Sequence, residues 1–253
     1  NDEIIELAKE HDLLLIEDCC ESHGATYKDK KVGSYGDMSC FSFYFGHHMT
    51  TIEGGMLCTN NKEIYELARM FRSHGMPREA SRETHNKYAK PDVNPLFTFA
   101  VPGYNMRSGE INAVLGLEQL KRLDYNIQKR QENLNTWLTN LNCFLYFTGY
   151  DVEGSSNYAL PLIMTHDRPI TYDMPKKMKK VCKILEEEKV EYRLGTAGGG
   201  NQARQPYLER YGYKVVGSLH ISNYIHDYGL YIGNHPELSE QQIIDLCKRL
   251  NNV

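Results

Sequence analysis

What the chain lacks narrows its role first. No apolar stretch among the 253 residues approaches the roughly 20 needed to cross a bilayer as a helix, so no membrane role is expected. No basic, apolar and small-residue series marks a secretory leader at the start, and the chain reads as cytoplasmic. The lysines and arginines are scattered through the chain, and 29 Lys and Arg against 33 Asp and Glu give a net charge of -4, without the basic footprint that nucleic acid demands. The seven cysteines, Cys19, Cys20, Cys40, Cys58, Cys143, Cys182 and Cys247, lack both CxxC zinc spacing and an even disulfide framework, and read as reduced thiols. Internal repeats and low-complexity tails are also missing.

What remains is an ordinary globular composition, 41% hydrophobic, enough for one large domain or two unequal ones. "NDEIIELAKE" has the apolar spacing of an amphipathic helix with no cap before it, so the chain is expected to start inside a domain. "LLLIEDCC", Leu13 to Cys20, reads as a strand buried on both faces, as in a parallel sheet. "MSCFSFYF" and "GGMLCTN" follow as strands, and then a helix with Ile64, Leu67, Ala68 and Phe71 on its apolar face, ended by Gly75. The polar stretch from Gly75 to Pro102 is expected to be a long loop. One long helical pattern runs from Glu110 to about Leu141, and "SEQQ" from Ser239 fits a capping box. The expected organisation is a large α/β domain with its bridging helix over residues 1–145 and a smaller α+β domain over 146–253.

Chemistry-bearing residues gather where strands end. Ligands of open parallel sheets sit at the carboxyl ends of strands, and both Asp18 and His47 fall there. Taken alone, Asp18 could be a metal ligand, a ribose acceptor, the partner of a protonated ring nitrogen or a helix cap. Its setting is more specific: Asp18, Glu21 three residues on, "SHGATY", "GSYGD", an "SF" strand with Ser42, then "FGHH" and "EGG".

This ordered set resembles the DegT/DnrJ/EryC1/StrS family of sugar aminotransferases and dehydratases, which has the aspartate aminotransferase fold. "GYNMRSGEINAVLGLEQL" and "GNHPELSEQQI" extend the resemblance over nearly the whole chain. The resemblance implies pyridoxal phosphate, or its pyridoxamine form, as cofactor. Asp18 would pair with the pyridine nitrogen, Glu21 would lie near the ring hydroxyl, and Ser42 would donate to the phosphate. Asn105 would reach the phosphate of a neighbouring subunit's cofactor in a homodimer. Family chains extend further at the N-terminus, so an N-terminally short chain is expected to bind cofactor poorly.

The histidine at position 47 is the departure that matters. Transaminating members of that family carry a lysine there, whose amine forms an imine with the cofactor. Imidazole cannot do so, but it exchanges protons near neutral pH. The resemblance therefore implies the 3-dehydratase branch, acting on nucleotide-linked 4-keto-6-deoxy sugars with glutamate as amino donor. Within that branch the CDP-sugar type carries an iron–sulfur cluster on clustered cysteines. The absence of a C-x-C pair, with Cys143, Cys182 and Cys247 far apart, favours the cluster-free type acting on GDP-4-keto-6-deoxymannose, on the route to colitose. His48 reads as a hydrogen-bonding turn residue. His74 in "RSHG" and Arg193 in "EYRL" are expected to meet sugar or diphosphate, and "GTAGGGN" is expected to be a flexible connection. Two rival readings are a metal site from Asp18, Glu21, His23, His47 and His48, and a catalytically silent scaffold.

Overall fold

The computed structural model describes residues 2–165, 173–196 and 199–253. They divide into two units, Asn1–Asp124 and Tyr125–Val253. The division falls ahead of the 145/146 boundary expected from the pattern, because the long helix after Leu123 buries its apolar side in the second unit.

The first unit opens with helix α1 (Asp2–Glu10), whose Ile4 and Leu7 stay exposed. Strand β1 (Ile16–Asp18) runs parallel to β4 (Met38–Ser42), which pairs antiparallel with β5 (Gly55–Cys58), in the order β1-β4-β5. Asp18 lies opposite Cys40 in this register. The expected strand from Leu13 to Cys20 is thus only three residues long. Its two-sided burial is also corrected: Leu14 is 73% and Ile16 55% exposed, since β1 is an edge strand and no described residue covers them.

Between β1 and β4, the short strands β2 (Thr26–Tyr27) and β3 (Lys30–Lys31) form a hairpin. Its turn residues Lys28 and Asp29 both have positive φ, as tight two-residue hairpins require. The following "GSYGD" turn is tied to β1 by one carboxylate. Glu17 accepts from the amides of Gly33 (2.7 Å), Tyr35 (2.6 Å) and Gly36 (2.7 Å). Gly36 has no substitute, because a Cβ there would lie 2.5 Å from the Leu15 carbonyl oxygen.

Helix α2 (Lys62–Arg72) starts at Asn61, whose side chain accepts from the amides of Glu63 and Ile64. It ends with His74 in the left-handed region (φ 61°) and Gly75 N–H donating to Met70 O at 2.8 Å, a Schellman arrangement. The expected long loop contains a short helix, α3 (Arg82–Lys87), capped by Ser81. The expected single helix from Glu110 is two, α4 (Glu110–Leu120) and α5 (Leu123–Asn140), broken at Lys121 and Arg122. The halves bury different things: Gly116 of α4 packs against Thr51, whereas α5 buries Ile127, Leu134 and Trp137.

The second unit centres on an antiparallel sheet, β6 (Ala159–Ile163), β8 (Gly229–Gly233) and β7 (Tyr192–Leu194), in the order β6-β8-β7. Helices α6 (Met174–Glu187), α7 (Pro206–Tyr211), α8 (His220–Tyr228) and α9 (Glu240–Leu250) complete it. The inward face of β6 carries Leu160 and Leu162, which join Trp137, Val181, Leu185, Leu230, Cys247 and Leu250 in one core. Trp137 donates to Pro161 O (2.8 Å) and Tyr146 to Leu250 O (2.7 Å), so the core's polar edges are satisfied. The capping box at Ser239 and Gln242 is present. Part of "GTAGGGN", residues 197–198, lies outside the described residues. Among the described residues, no helix is long and apolar enough to cross a membrane.

Candidate active site

Because β1 and β4 are parallel neighbours, their last residues, Asp18 and Ser42, emerge at the same end of the sheet. Asp18 is exposed, and its Oδ1 accepts from the Cys20 amide at 3.1 Å. Hydrogen bonds from the Cys20 thiol and amide hold its carboxyl below the usual range, burial opposes them, and the charge of His47 adds to the lowering. The Cys20 thiol in turn is pushed up to about 12, by burial first and then by Asp18. Asp18 is therefore an ionised carboxylate at neutral pH, with a protonated thiol beside it.

Ser42 Oγ accepts from the Tyr44 amide at 3.3 Å, which leaves its O–H for a further acceptor. Past Ser42 the chain turns back on itself: Phe43 N–H donates to Gly54 O (2.8 Å) and Thr51 N–H to Phe43 O (2.9 Å). Gly54 allows this closure, since a Cβ there would stand 2.3 Å from Thr51 Oγ1. Asn112 of α4 pins the loop from outside, donating to Thr51 O at 2.6 Å. This accounts physically for "EGG" following the paired histidines.

The loop so closed carries His47 back over the strand ends. Its side chain is only 11% exposed, with Nε2 3.9 Å from Glu21 Oε1 and its ring edge-on to Tyr44 at 5.5 Å. Asp18, Glu21 and His47 are thus brought together, with Ser42 at the end of the same sheet. His48 turns inward, 3% exposed, against the ring of His23 at 5.5 Å. Among the described residues no group of three or more His, Cys, Asp or Glu is placed to hold a metal ion, so the rival metal reading has no geometric support.

Asn105 and His74, of the same unit, are placed apart from this cluster. Asn105 and Ser73 make an isolated antiparallel bridge. Around it His74 N–H donates to Tyr104 O (2.6 Å), Tyr104 N–H to Phe71 O (2.8 Å) and Met106 N–H to Arg72 O (2.9 Å). "GYNMR" is therefore stitched to the end of α2, leaving Asn105 and His74 exposed. Arg193 lies in the second unit, 3.6 Å from Glu191 on an exposed stretch of β7. Cys20 and Tyr44 were missed as site neighbours, and His23 entered only through the rival metal reading. The alternation of Phe41 in β4 with Phe43 just beyond it was the available signal for the packing of His23, because it marks an aromatic face needing a partner.

The model of the DegT/DnrJ/EryC1/StrS aminotransferase family matches residues 2–251. The chain belongs to that family. Among the DegT/DnrJ/EryC1/StrS proteins it is similar to is the GDP-4-keto-6-deoxy-D-mannose 3-dehydratase of Yersinia pseudotuberculosis, 32% identical over 95% of this chain and 60% of the relative. The Escherichia coli GDP-4-keto-6-deoxy-D-mannose-3-dehydratase, solved with bound hydrated PLP, superposes with a TM-score of 0.86 at 29% identity, over 98% of this chain and 63% of that one. GDP-perosamine synthase of Escherichia coli O157:H7 is 29% identical over 99% of this chain and 61% of the relative. The chain spans about 60% of the length of the curated relatives it matches. Fold and family are those implied by the sequence motifs, and the family includes both dehydratases and transaminases.

Proposed function

We propose that this chain provides the cofactor side of a pyridoxal phosphate-dependent nucleotide-sugar 3-dehydratase that removes the C3 hydroxyl of GDP-4-keto-6-deoxymannose, in dideoxysugar biosynthesis of the colitose type. One observation carries the reading: an imidazole, His47, occupies the loop after β4 beside Asp18 and Glu21. By the motif resemblance, this is the position where a transaminase of this family has its lysine. The donor set suits the cofactor. Asp18, held ionised, can accept from a protonated pyridine nitrogen, and the Ser42 hydroxyl can donate to a phosphate.

When bound, the pyridoxamine form of the cofactor supplies an electron sink next to the sugar's C4 carbon. Asp18 keeps that sink effective by stabilising the pyridinium charge. His47 Nε2 takes a proton at the reacting carbon and can return it to the departing C3 hydroxyl. Glu21, with its Oε1 3.9 Å away, orients the ring. Imidazole has no amine with which to capture the cofactor; release of a ketone product would instead need water, which supplies the carbonyl oxygen as ammonia leaves. Glutamate serves as the amino donor that restores the pyridoxamine form.

Asn105, His74 and Arg193 lie at the edge of this reading. The exposed Asn105, fixed by backbone bonds on both sides, is suited to serve the cofactor phosphate of a second copy in a homodimer. His74 beside it and the Arg193 guanidinium are assigned to sugar and diphosphate. The deciding experiment is the mass of the product formed from GDP-4-keto-6-deoxymannose, glutamate and pyridoxal phosphate. A 3-deoxy ketone with released ammonia is the expected result. A 4-amino sugar would instead make the protein a transaminase, and a product from the CDP-linked glucose analogue alone would reassign the nucleotide.

A further inference from the structure

His23 is 4% exposed, and neither ring nitrogen makes a hydrogen bond of good geometry. Such a residue calls for an explanation, because a buried, unsatisfied polar group costs about 1–3 kcal/mol. Its surroundings are rings: Phe41 at 5.6 Å, Phe43 at 5.8 Å and His48 at 5.5 Å. Phe41, in β4, and Phe43, the residue just past its end, flank Ser42 in sequence. His48 comes from the loop that returns after β4. His23 therefore fills the wedge between strand and loop.

The same short segment touches both histidines of the loop. Glu21 meets His47, and His23, two residues on, meets His48. On the other side His47 is braced by Tyr44. The loop is gripped at consecutive residues by alternate residues of one turn, which itself is held by Ser22 N–H to Cys19 O and Ala25 N–H to Ser22 O. We propose that His23 is a positioning residue for His47, acting through ring contact with His48, and that the paired histidines divide the work: His47 faces the reacting centre and His48 is the handle by which the loop is held.

The inference deepens the dehydratase reading and rests on it for the word positioning, but its test needs no turnover. The purified protein is treated with diethyl pyrocarbonate across pH 6 to 8, and His47 modification is followed by peptide mass in wild type, His23→Phe and His23→Ala. Removing the ring loosens the loop, so His23→Ala raises the His47 rate about threefold or more, with the amides of β4 still slow to exchange. The phenylalanine ring restores the wild-type rate to within about twofold. An unchanged rate in folded His23→Ala, or a phenylalanine variant as reactive as the alanine one, overturns the proposal. Should His23→Ala lose β4 protection, His48→Ala is read by the same criterion. If wild-type protein makes no dehydrated product while this pattern holds, the reaction has been misassigned and the coupling of His23 to His47 stands. In active protein His23→Ala lowers kcat about tenfold or more with KM within about twofold, as misplacement of a reacting group does.

Discussion

Acidification should destabilise the first unit through His23 in particular. Burial, with a smaller contribution from the charge of His47, pushes its pKa from 6.5 to about 4, and the nearby Ser42 backbone opposes this only weakly. Between those values the unfolded chain binds a proton that the folded one refuses, so stability falls as pH drops through 6.5 and levels off below about 4. At about 1.4 kcal/mol per tenfold change in proton affinity, the full loss is about 3 kcal/mol. Asp18 and Glu66, whose pKa values are lowered, also lose stabilisation in acid, so the total slope exceeds the His23 share. The difference between wild type and His23→Phe isolates it. The sole tryptophan, Trp137, reports on the second unit, so the assay is hydrogen exchange of β4 peptides at pH 7, 5.5 and 4. Wild type should lose about 3 kcal/mol of protection relative to His23→Phe over that range. Parallel curves would refute the view that His23 is held neutral by its ring environment.

Further expectations concern both units. His47→Lys restores an amine to the site, and borohydride treatment with pyridoxal phosphate should then add one reduced cofactor mass at residue 47, absent from wild type. Asp18→Asn removes the ionised partner proposed for the pyridine nitrogen and should lower product formation by about 100-fold or more, with a loss of thermal stability small beside that loss of activity. Gly36→Ala places a methyl 2.5 Å from the Leu15 carbonyl and should cost about 1–3 kcal/mol, seen as faster exchange in β1. Leu185→Ala, at a fully buried position, should cost about 2–5 kcal/mol in a urea titration followed by Trp137 fluorescence.

Elements with local signals could be read from the sequence. The Ser239 capping box, the end of α2 at Gly75 and the place of Asp18 at the end of a strand all rest on residues adjacent in the chain. The approach of His47 to Glu21 came only through motif resemblance, since it depends on the Phe43, Thr51 and Gly54 backbone bonds that turn the loop around. Two features misled the reading. Apolar content made "LLLIEDCC" look doubly buried, although neighbours decide burial and β1 has only one. The period through Lys121 and Arg122 continued across a break that neither proline nor glycine marks. The role given to Arg193 rests on residue type alone, since nothing in the local pattern distinguishes a ligand contact from its pairing with Glu191.

The adjacent acids Glu17 and Asp18 carry one more implication. Glu17 spends its charge on three backbone amides, while Asp18, on the opposite face of the strand, keeps its own at the end of the sheet where the proposed site lies. A slip of β1 by one residue against β4 would exchange them, aiming the anchoring acid at His47 and the working acid at the "GSYGD" turn. The shorter aspartate would not span to three amides, and the turn would come loose. The geometry that builds the sheet edge therefore also proofreads which carboxylate enters the site, so misregistered molecules fail to assemble rather than assemble and misfire.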